Sequence, residues 1–580
     1  MAKSKSTLKA SFEDFKGIDL QKTHTGKISC SDMTNFRIMP DGSLKKRCGF
    51  KPVYTSDRTI RDVWSGMLNG EFVYIVVILT DVYKLDIEAG TLKRLGSVWS
   101  AYNRVSFFFF VDTLYIKDSL AIYKVTSSSV SPTKGYVPLY GKDWPTTLHG
   151  EINEPLNLLN INARISYKIP ANNSLMLPTK LKVTYVHSLY RNGNLLSSSE
   201  YEIDSQYNTI NVKTLAPGDE FLAVVQFDVS DPEINNLKLQ FGKNNHSKVY
   251  SDIKNSRVFW WGASPGNTVF TNTPISPEAY AESEKYFPGA GPLYIAPGAE
   301  FVFGDGKSNV KAMLTHYDRL LIFTDGDAWM VDSSILTDQN TPVKAINSVA
   351  GSAASGGAAM AGNDPVTVGK QTIFRWTSDT DEFNQCNAYS ISDAINEKLN
   401  ESFFNNAMIF NDIYKNELWF RDPNGDDSVW IYNIDKRHWF KYSGINANFF
   451  FDANGKVGFS DGTSIYVFSD ELLSDIDSEG NENEIVATFE SGIIDFEAPE
   501  KKRLLELRAV GELNGGTLDI DLELDTGENV SMEITSSGTH GNMTKRLSSG
   551  RFSNLKMRIT SAGKSDETIH SVCLSANPKK

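Results

Sequence analysis

The chain has 580 residues, of which 40% are hydrophobic and 22% are charged, so it is neither a disordered nor a collagen-like sequence. Because a domain usually contains roughly 100 to 200 residues, this length predicts two to four domains. The formal net charge of -13 excludes tight binding to a nucleic-acid backbone over most of the surface.

The sequence lacks the signals of an exported or membrane-anchored chain. Its basic start is not followed by the apolar stretch of a signal peptide, and the longest apolar runs, 73–79 and 107–111, are far shorter than the roughly 20 residues that cross a bilayer. Sparse cysteines without C-x-x-C spacing predict reduced thiols rather than a disulfide scaffold. The cysteines are Cys30, Cys48, Cys386 and Cys573.

The first predicted element is an N-terminal arm with a hairpin, residues 1–57. Residues 40–42, Pro-Asp-Gly, favour a tight turn, and the basic residues 45–47 follow it. On composition alone, this segment is a surface hairpin whose basic strand end is solvated.

From residue 58 to about 470, one pattern recurs: a short apolar strand, an Asp-Gly or Asn-Gly turn, and a second apolar strand with aromatics. The Asp-Gly pairs at 325–326 and 461–462 are expected to supply the positive φ of a hairpin turn. Residues 416–442 read as three consecutive meander strands. Roughly six or seven units of about 40 residues predict an irregular β-propeller, with its first blades in 58–150 and the remaining blades in 253–474.

Two β-sandwich domains accompany the predicted propeller, and the complete fold is all-β. An insertion at 151–252 contains an alternating strand that buries Phe221, Ala223, Val225, Phe227 and Val229. After an acidic linker at 475–484, alternating strands near 518–524 and 555–559 predict a C-terminal sandwich over 485–580. Helical patterning is limited to two short connectors, at 277–285 and 388–404.

Motifs that carry catalytic chemistry are not found. None of the eight histidines lies at the i, i+3 or i, i+4 spacing of a helical metal site, and the nucleophile-elbow, P-loop and Rossmann glycine patterns are missing. The Gly/Ala-rich segment 350–362 reads as a plain loop. Residues 475–486 imitate a calcium loop, but Val486 occupies the position of the bidentate carboxylate. We predict no metal, no cofactor and no enzymatic activity.

The segment 32–50 resembles the opening of bacteriophage tail proteins of the stabilisation or tail-nozzle type, such as tail tubular protein B-like chains. Their box consists of N-x-R, a hairpin glycine, basic residues and R-x-G-F. It is matched here by Asn35, Arg37, Gly42, Arg47 and Gly49. Similar proteins continue with propeller-like blades and close with a sandwich, so the resemblance spans most of the chain.

The resemblance implies a structural virion protein that is made in the host cytoplasm and forms a ring of identical subunits, expected to be a hexamer. Such a ring prolongs the channel for genome ejection as a nozzle or tail hub, or as an adaptor nearer the head. Its partners would be adaptor and fibre proteins, and passing double-stranded DNA that it does not bind tightly.

One strand offers a candidate surface for that channel. The acidic row of Asp519, Asp521, Glu523 and Asp525 is most simply a solvated strand face, but in a tail ring it would face the channel and repel DNA mildly. The alternative function is a propeller carbohydrate-active enzyme or glycan-binding module. Tryptophans would then line a sugar groove, although aromatics at this density are more often core. These tryptophans are Trp260, Trp261, Trp329, Trp376, Trp419, Trp430 and Trp439.

Overall fold

The computed structural model describes most of the chain. The described residues are 7–22, 29–100, 104–145, 151–171, 176–228, 232–251, 256–262, 266, 268–303, 308–317, 319–332, 343–378, 386–514, 516–535 and 541–579. This part contains 49 strands and three short α-helices, and the fold is all-β. Val229, which the sequence places on the buried face of the insertion, lies outside the described residues.

The N-terminal arm contributes five strands and a 3-10 turn at Leu20–Lys22. The strands are β1 (Leu8–Phe12), β2 (Cys30–Thr34), β3 (Phe36–Ile38), β4 (Leu44–Lys46) and β5 (Gly49–Thr55). Only β3 and β4 pair with each other, and every other pairing of these strands joins a strand more than 380 residues later in the sequence. The arm is therefore an integral part of sheets formed by the far end of the chain.

Two antiparallel sheets of four consecutive strands follow the arm. They consist of β6 (Ile60–Leu68), β7 (Glu71–Ile78), β8 (Asp81–Asp86), β9 (Thr91–Ser97), and of β10 (Ser106–Phe110), β11 (Thr113–Asp118), β12 (Ala121–Val125), β13 (Val130–Pro132). The turn between β6 and β7 is tight because Asn69 and Gly70 both have positive φ, 54° and 82°. Alternate strand residues are buried between the sheets, as in the cluster that joins Ile75 to Ile116.

An insertion separates these sheets from the next ones. Its strands are β14 (Leu139–Trp144), β15 (Asn162–Lys168), β16 (Met176–Pro178), β17 (Val183–Arg191), β18 (Asn194–Leu195), β19 (Tyr201–Asp204), β20 (Thr209–Val212) and β21 (Glu220–Phe227). A sheet in the order β14-β15-β21-β17-β18 and a sheet in the order β16-β20-β19 bury one common core, in which Phe221 and Val225 pack with Leu177 and Ile210. Helix α1 (Pro232–Lys243) follows, although no helix is predicted there.

Small antiparallel sheets then resume. Their strands are β22 (His246–Ser251), β23 (Ser256–Trp261), β24 (Thr268–Thr271), β25 (Glu300–Val302), β26 (Val310–His316), β27 (Arg319–Thr324), β28 (Ala328–Asp332), β29 (Val343–Asn347), β30 (Ala358–Ala361), β31 (Asp364–Val368), β32 (Ile373–Ser378), β33 (Cys386–Ser390), β34 (Met408–Asp412), β35 (Glu417–Arg421), β36 (Val429–Asn433), β37 (His438–Tyr442), β38 (Phe449–Asp452), β39 (Val457–Ser460) and β40 (Ser464–Ser469). Helix α2 (Pro277–Tyr286) connects β24 to β25, and α3 (Glu401–Asn406) precedes β34.

The first strands of successive small sheets contact one another in the order β10, β22, β26, β30, β34, β38 and β6. The last of these sheets has the order β38-β39-β40-β5, so its fourth strand comes from the N-terminal arm. Small meander sheets that contact their neighbours through their first strands are a propeller-like arrangement.

The C-terminal strands form two larger sheets. They are β41 (Ser474–Ile476), β42 (Glu482–Glu484), β43 (Ala487–Ser491), β44 (Lys502–Glu512), β45 (Thr517–Leu524), β46 (Asn529–Thr535), β47 (Gly541–Arg546), β48 (Leu555–Ala562) and β49 (Thr568–Pro578). One sheet runs β3-β4-β49-β44-β47, with β1 also on β49. The other has nine strands, β34-β35-β36-β37-β2-β43-β48-β45-β46, so β2 joins a propeller-like meander to the C-terminal strands.

Several sequence-based predictions are confirmed. Helix α2 lies at 277–285 as predicted, and the three meander strands in 416–442 are β35, β36 and β37. The alternation in 518–524 and 555–559 also holds, because Leu518, Ile520, Leu522, Leu555, Met557 and Ile559 are all buried. Apolar side chains at every second position therefore identified these strands correctly.

Four local predictions are wrong. The predicted helix at 388–404 is a strand end, a 3-10 turn at Asn396–Lys398 and the start of α3, because Asn400 caps a new helix through a bond from Phe403 N. The predicted linker at 475–484 is the β41–β42 hairpin, whose turn contains Gly480. The Gly/Ala segment 350–362 includes strand β30, which pairs with β31.

The fourth correction concerns the two Asp-Gly turns. Gly462 has the expected positive φ of 100°, but Gly326 is not among the residues with positive φ. The turn at 325–326 is held instead by the side chain of Thr324, which accepts from Asp327 N at 3.0 Å. A side-chain cap here replaces the left-handed backbone that Asp-Gly predicts.

Candidate functional site

Arg47, the second arginine of the N-terminal box, follows β4 and is the centre of a buried cluster that includes Asn35. Its side chain is 2% exposed and makes a bidentate ion pair with Asp475 of β41, with Nη1–Oδ1 and Nη2–Oδ2 distances of 2.8 Å and 2.6 Å. Nη2 also donates to Ser443 O at 2.9 Å. The guanidinium lies 5.7 Å from the centre of the Tyr442 ring. Arg47 thus joins the arm to β37 and to the β41–β42 hairpin.

Asn35 completes the hydrogen bonding of this cluster. Its Oδ1 accepts from Arg47 Nε and from Ser443 N, each at 2.9 Å. Its Nδ2 donates to Val486 O at 2.8 Å and to Ser443 Oγ at 2.9 Å. The residue adopts φ of 59°, a left-handed conformation that Asn tolerates better than most residues. An amide is needed here because one side chain must accept from a cation and donate to a carbonyl.

Arg37 makes a second ion pair between the arm and the meander of β34–β37. Its Nε donates to Glu417 Oε1 at 2.9 Å, and the Glu417 side chain is 0% exposed. Burial raises the pKa of Glu417, an effect that the Arg37 charge opposes. Burial lowers the pKa of Arg37, but the Glu417 carboxylate outweighs it and the net direction is upward. Arg37 therefore remains charged while it holds β3 against β35.

The basic cluster 45–47 is not the solvated strand end that composition suggests. The side chains of Lys46 and Arg47 are each 2% exposed. Lys46 Nζ donates to Gly563 O at 2.5 Å and lies 3.6 Å from Glu567 Oε2, and burial lowers its pKa. Lys45 pairs with Asp566 at 3.2 Å. Lys45 and Lys46 are paired because β4 lies against β49, next to Asp566 and Glu567, whereas Arg47 pairs with Asp475 of β41.

The two glycines of the box occupy positions where a side chain does not fit. Gly42 turns the β3–β4 hairpin with φ of 85°, and a β-carbon there would lie 2.5 Å from Asp14 Oδ1. A β-carbon on Gly49 would lie 1.9 Å from Ser474 O. Asn35, Arg37, Arg47 and Gly49 therefore form a largely buried joint between the arm, the meander of β34–β37 and the β41–β42 hairpin, while Gly42 turns the β3–β4 hairpin within the arm.

A cleft of about 460 Å³ opens beside this joint. Arg47 and Asn35 form its floor, while Asp427, Asp461 and Glu484 contribute acidic groups to its walls. Asp461 is held by Thr463 and Ser464, and Tyr466 OH donates to it at 3.1 Å. The cleft is predominantly acidic, with the paired Arg47 as its cation.

The calcium-loop imitation at 475–486 does not assemble a site. Asp475 is engaged by Arg47, and Asp477 accepts from Glu479 N at 3.0 Å and Asn481 N at 2.8 Å as the cap of its own turn. A bond from Asn481 Nδ2 to Asp477 Oδ2 at 3.0 Å and these backbone bonds lower the pKa of Asp477. In the described ranges, no group of three or more His, Cys, Asp or Glu side chains is placed to hold a metal ion.

The predicted acidic row lies on the outer face of β45, next to cations on β48. In the β45–β48 register, Asp521 is opposite Arg558 and Glu523 is opposite Lys556. Asp519 and Glu523 are exposed, whereas Asp525 accepts from Ser553 N at 3.0 Å and caps a loop. Arg558 itself pairs with Glu490. The face therefore alternates in charge, because an acidic strand lies beside a basic one.

The tryptophans proposed for a sugar groove are core residues. All but Trp329 are at most 7% exposed, and Trp329 packs partly buried against the cluster around Trp261. Cys30, Cys48 and Cys573 are free thiols, and the side chain of Cys386 lies outside the described residues. No helix among those described is both long and apolar enough to span a bilayer.

Sequence reasoning missed the partners that complete the joint. Asp475, Glu417 and Ser443 lie 428, 380 and 396 residues from the box residues they bind. Asp475 is placed in a linker by composition, and nothing local marks Glu417 as a partner of Arg37. The only usable signal is that a charged residue inside a hydrophobic strand, such as Glu417 before Leu418 and Trp419, needs a partner.

No family model matches the sequence, and no curated protein matches it at a significant level. Solved structures that are similar include the AfRom2 CNH domain, at 7% identity over 73% of this chain and 99% of that chain, with a TM-score of 0.36. The WD40 domain of SCAP from fission yeast is 10% identical over 76% of this chain and 97% of that chain, with a TM-score of 0.29. A glycoside hydrolase is 9% identical over 90% and 98%, with a TM-score of 0.23.

Proposed function

We propose that the chain is a structural protein of a bacteriophage tail, a nozzle or hub subunit that forms a ring of identical copies, expected to be a hexamer. The observation that carries the proposal is the N-terminal box. Four of its five matched residues, Asn35, Arg37, Arg47 and Gly49, join the arm to the meander of β34–β37 and to the β41–β42 hairpin, and the fifth, Gly42, turns the β3–β4 hairpin. A segment that holds distant parts of the chain together suits a subunit with a structural role.

The number of propeller blades and the two sandwich domains are part of the same proposal. We propose a seven-bladed propeller in which β5 supplies the outer strand of the last blade and so closes the ring of blades. The insertion and the C-terminal strands are proposed as two β-sandwiches, since each consists of two sheets that share a core.

The nine-stranded sheet supports the proposal of a structural role, because it connects the propeller-like strands to the C-terminal strands. It continues from the meander of β34–β37 through β2 into the C-terminal strands, with Thr34 opposite Lys441 and Met33 opposite Phe489. A continuous hydrogen-bonded sheet resists hinge motion between the units that it joins. In a closed ring, identical subunits meet through two different surfaces, for which the edge strands β46 and β47 are available.

The face of β45 is proposed to line the DNA channel. Asp519, Asp521 and Glu523 repel phosphates, while Lys556 and Arg558 on β48 reduce that repulsion. A face of mixed charge neither binds DNA tightly nor excludes it, which suits a conduit through which double-stranded DNA passes. Other proposed partners are the adaptor and fibre proteins of the tail, and the proposed location is the virion.

The assembly and the composition of the virion test this proposal. We expect native mass spectrometry and negative-stain electron microscopy of the purified chain, alone and with neighbouring tail proteins, to show rings with a central opening. Proteomics of purified phage particles should detect the chain as a stoichiometric component. A chain that stays monomeric with every tail partner and is missing from particles would contradict the proposal.

A second candidate function, a glycan-binding or glycan-cleaving propeller, is favoured by the 460 Å³ acidic cleft beside the joint. Its carboxylates include Asp427, which accepts from Gly444 N at 3.1 Å, and Asp461. Incubation with a panel of polysaccharides discriminates the two functions. Release of sugar that is lost in Asp427→Asn but kept in Asp435→Asn would favour the enzyme over the tail protein.

A further inference from the structure

A separate cleft contains a buried guanidinium with unused donors. Arg421, the last residue of β35, is 1% exposed, and its Nη2 donates to Asn446 Oδ1 at 3.2 Å. Its Nε and Nη1 are buried and have no hydrogen-bond partner in the described part of the chain. The other arginines of this region behave differently, since Arg37 and Arg47 each have a carboxylate partner.

The cleft that Arg421 lines has a volume of about 260 Å³. Two more cations, Lys398 and Lys441, border it, and both lie near Asp32, which Lys398 binds and which is 3.9 Å from Lys441 Nζ. Trp430 and Phe403 supply apolar walls. Lys441 Nζ lies 5.7 Å from the centre of the Trp430 ring.

The carboxylates of the cleft are occupied by their own turns. Asp422 accepts from Ser402 Oγ at 2.6 Å and from Asn424 N at 2.9 Å, and Asp426 accepts from Ser428 N at 3.1 Å. Neither carboxylate makes a hydrogen bond to Arg421. Asp422 and Asp426 therefore reduce the positive charge of the cleft. They leave Nε and Nη1 of Arg421 without a hydrogen-bond acceptor.

An unpaired buried cation is costly for folding. Removing a guanidinium from water without acceptors is strongly unfavourable, and proteins normally pair or neutralise such groups. Burial lowers the pKa of Arg421, although the nearby Asp422, Asp426 and Asp427 oppose this effect. The Arg421 guanidinium lies beside an open cleft and lacks acceptors at two nitrogens, so it is suited to anchor an anionic ligand.

We propose that this cleft binds a monoanionic carboxylate, with Arg421 as its anchor and Lys398 and Lys441 at its rim. A carboxylate supplies the acceptors that Nε and Nη1 lack. Asp422 and Asp426 would repel the second charge of a phosphate, so a single negative charge is preferred. Trp430 and Phe403 suit the carbon skeleton of an organic acid rather than an inorganic ion. The carboxylate comes either from a small free acid or from a Glu or Asp side chain of a peptide.

Titration of the full-length protein tests the site. The probes are acetate, benzoate and N-acetyl-glycyl-glutamate amide, with inorganic phosphate and chloride at matched ionic strength as comparisons. We expect saturable binding of carboxylates in calorimetry and a matching rise in the unfolding midpoint. Tighter binding of benzoate identifies a small acid as the natural type of ligand, and tighter binding of the glutamate peptide identifies a peptide side chain. Saturable binding of phosphate as tight as that of every carboxylate would overturn the proposal, as would no carboxylate binding beyond the chloride control.

Substitutions locate the binding. Arg421→Met should abolish carboxylate binding, and Lys441→Met should weaken it by about 10-fold, as expected for the loss of one charge-assisted contact. Lys436→Met removes an exposed lysine from the neighbouring β36–β37 turn and should leave binding unchanged. Equal loss of affinity in the Lys436 variant would show that the effect is only of net charge and would overturn the site.

Stability without ligand separates an anchor from a structural residue. Because Met fills a similar volume without a buried charge, Arg421→Met should unfold at the same denaturant concentration as the parent or at a higher one. If this variant unfolds at a much lower concentration and Lys441→Met binds carboxylates normally, Arg421 is a structural residue and the proposal fails.

Discussion

At the scale of single residues, the buried charge of Arg47 is balanced mainly by partners from distant segments. Arg47 has four acceptors, namely Asp475, Asn35, Ser443 O and Cys48 O, so its desolvation is offset by hydrogen bonds on every side. Such a cluster adds little net stability over a hydrophobic one, but it is damaging when half of it is removed.

Arg47→Met should lower the free energy of unfolding by about 3–5 kcal/mol, because Asp475 is left buried without a cation. The double variant Arg47→Met with Asp475→Leu should recover part of this loss. Chemical denaturation monitored by tryptophan fluorescence provides the measurement. Arg58→Met serves as the control, since Arg58 is 56% exposed and its loss should cost about 0.5 kcal/mol or less. Equal destabilisation by the two single variants would contradict the role of the buried pair.

Lys117 makes stability depend on pH. Its side chain is buried, donates to Ser119 O at 2.7 Å, and lies 4.5 Å from the ring centre of Phe241 in α1. Burial lowers the pKa of Lys117 to about 7. Between about pH 7 and pH 10 the unfolded chain holds a proton that the native chain has lost, so stability rises with pH by up to about 1.4 kcal/mol per pH unit. Below pH 7, Lys117 is protonated in both the folded and the unfolded chain, so the full free-energy cost of burying its charge lowers the stability.

Lys117→Met should remove this contribution. The difference in unfolding free energy between the variant and the parent should be largest at pH 6–7, with the variant more stable, and should shrink towards pH 10. Denaturant titrations at several pH values measure it. A difference that is constant across this range would show that Lys117 does not change its protonation on folding.

At the scale of elements, β5 is the strand with the most consequence for the fold. It comes from the N-terminal arm and pairs with β40, with Phe50 opposite Phe468. The Phe50 ring meets the rings of Phe459, Tyr466 and Phe468 at centroid distances of 5.0–5.4 Å. Because its partner lies more than 400 residues away, closing this pairing costs loop entropy, which the packing of these rings must offset.

Gly49→Ala should disrupt the start of β5. A β-carbon there would lie 1.9 Å from Ser474 O, and a backbone atom cannot move aside as a flexible side chain can. We expect a loss of about 1–3 kcal/mol or more, together with faster hydrogen exchange in β5 and β40. Gly326→Ala is the matched control, because nothing lies within 4 Å of its added β-carbon. Unchanged exchange in β5 would contradict this account of the crowding.

At the scale of the whole molecule, the C-terminal strands are completed by the start of the chain. Strand β49 pairs with β44 on one side and with β4 and β1 on the other. Phe12 and Phe15 pack on Phe489 at ring distances of 5.9 Å and 5.3 Å. The predicted C-terminal unit, residues 485–580, therefore exposes apolar surface when the arm is removed.

A fragment of residues 485–580 should accordingly be poorly folded by itself. Adding residues 7–46 after a flexible linker should restore a dispersed amide NMR spectrum and a cooperative unfolding transition, because β1, β3 and β4 then have their partners and β2 regains β43, one of its two neighbours. The same fusion with Phe12→Ser and Phe15→Ser should fail to do so. A well-dispersed spectrum from 485–580 alone would show that the arm is dispensable to this unit.

The sequence alone predicts the all-β class, the short meander strands, helix α2 and the buried faces near 518–524 and 555–559. These features depend on neighbours along the chain, such as alternating apolar residues and turn-forming pairs, so local pattern is sufficient for them. The same local signals failed at 388–404, where the Asn400 cap begins a new helix, and at 475–484, where the acidic composition of the hairpin is also that of a linker.

The roles of the charged and polar residues depend on contacts that appear in the folded chain. In the sequence, Arg37, Lys46 and Arg47 look like part of a basic surface hairpin. In the structure, each pairs with an acidic side chain 380 or more residues away. Lys46 and Arg47 are buried, and Arg37 is partly buried. The acidic row on β45 acquires basic neighbours from β48, and Arg421 is left with unused donors beside an open cleft. Long-range electrostatic pairing depends on distances in space, and chain topology, rather than residue type, sets those distances.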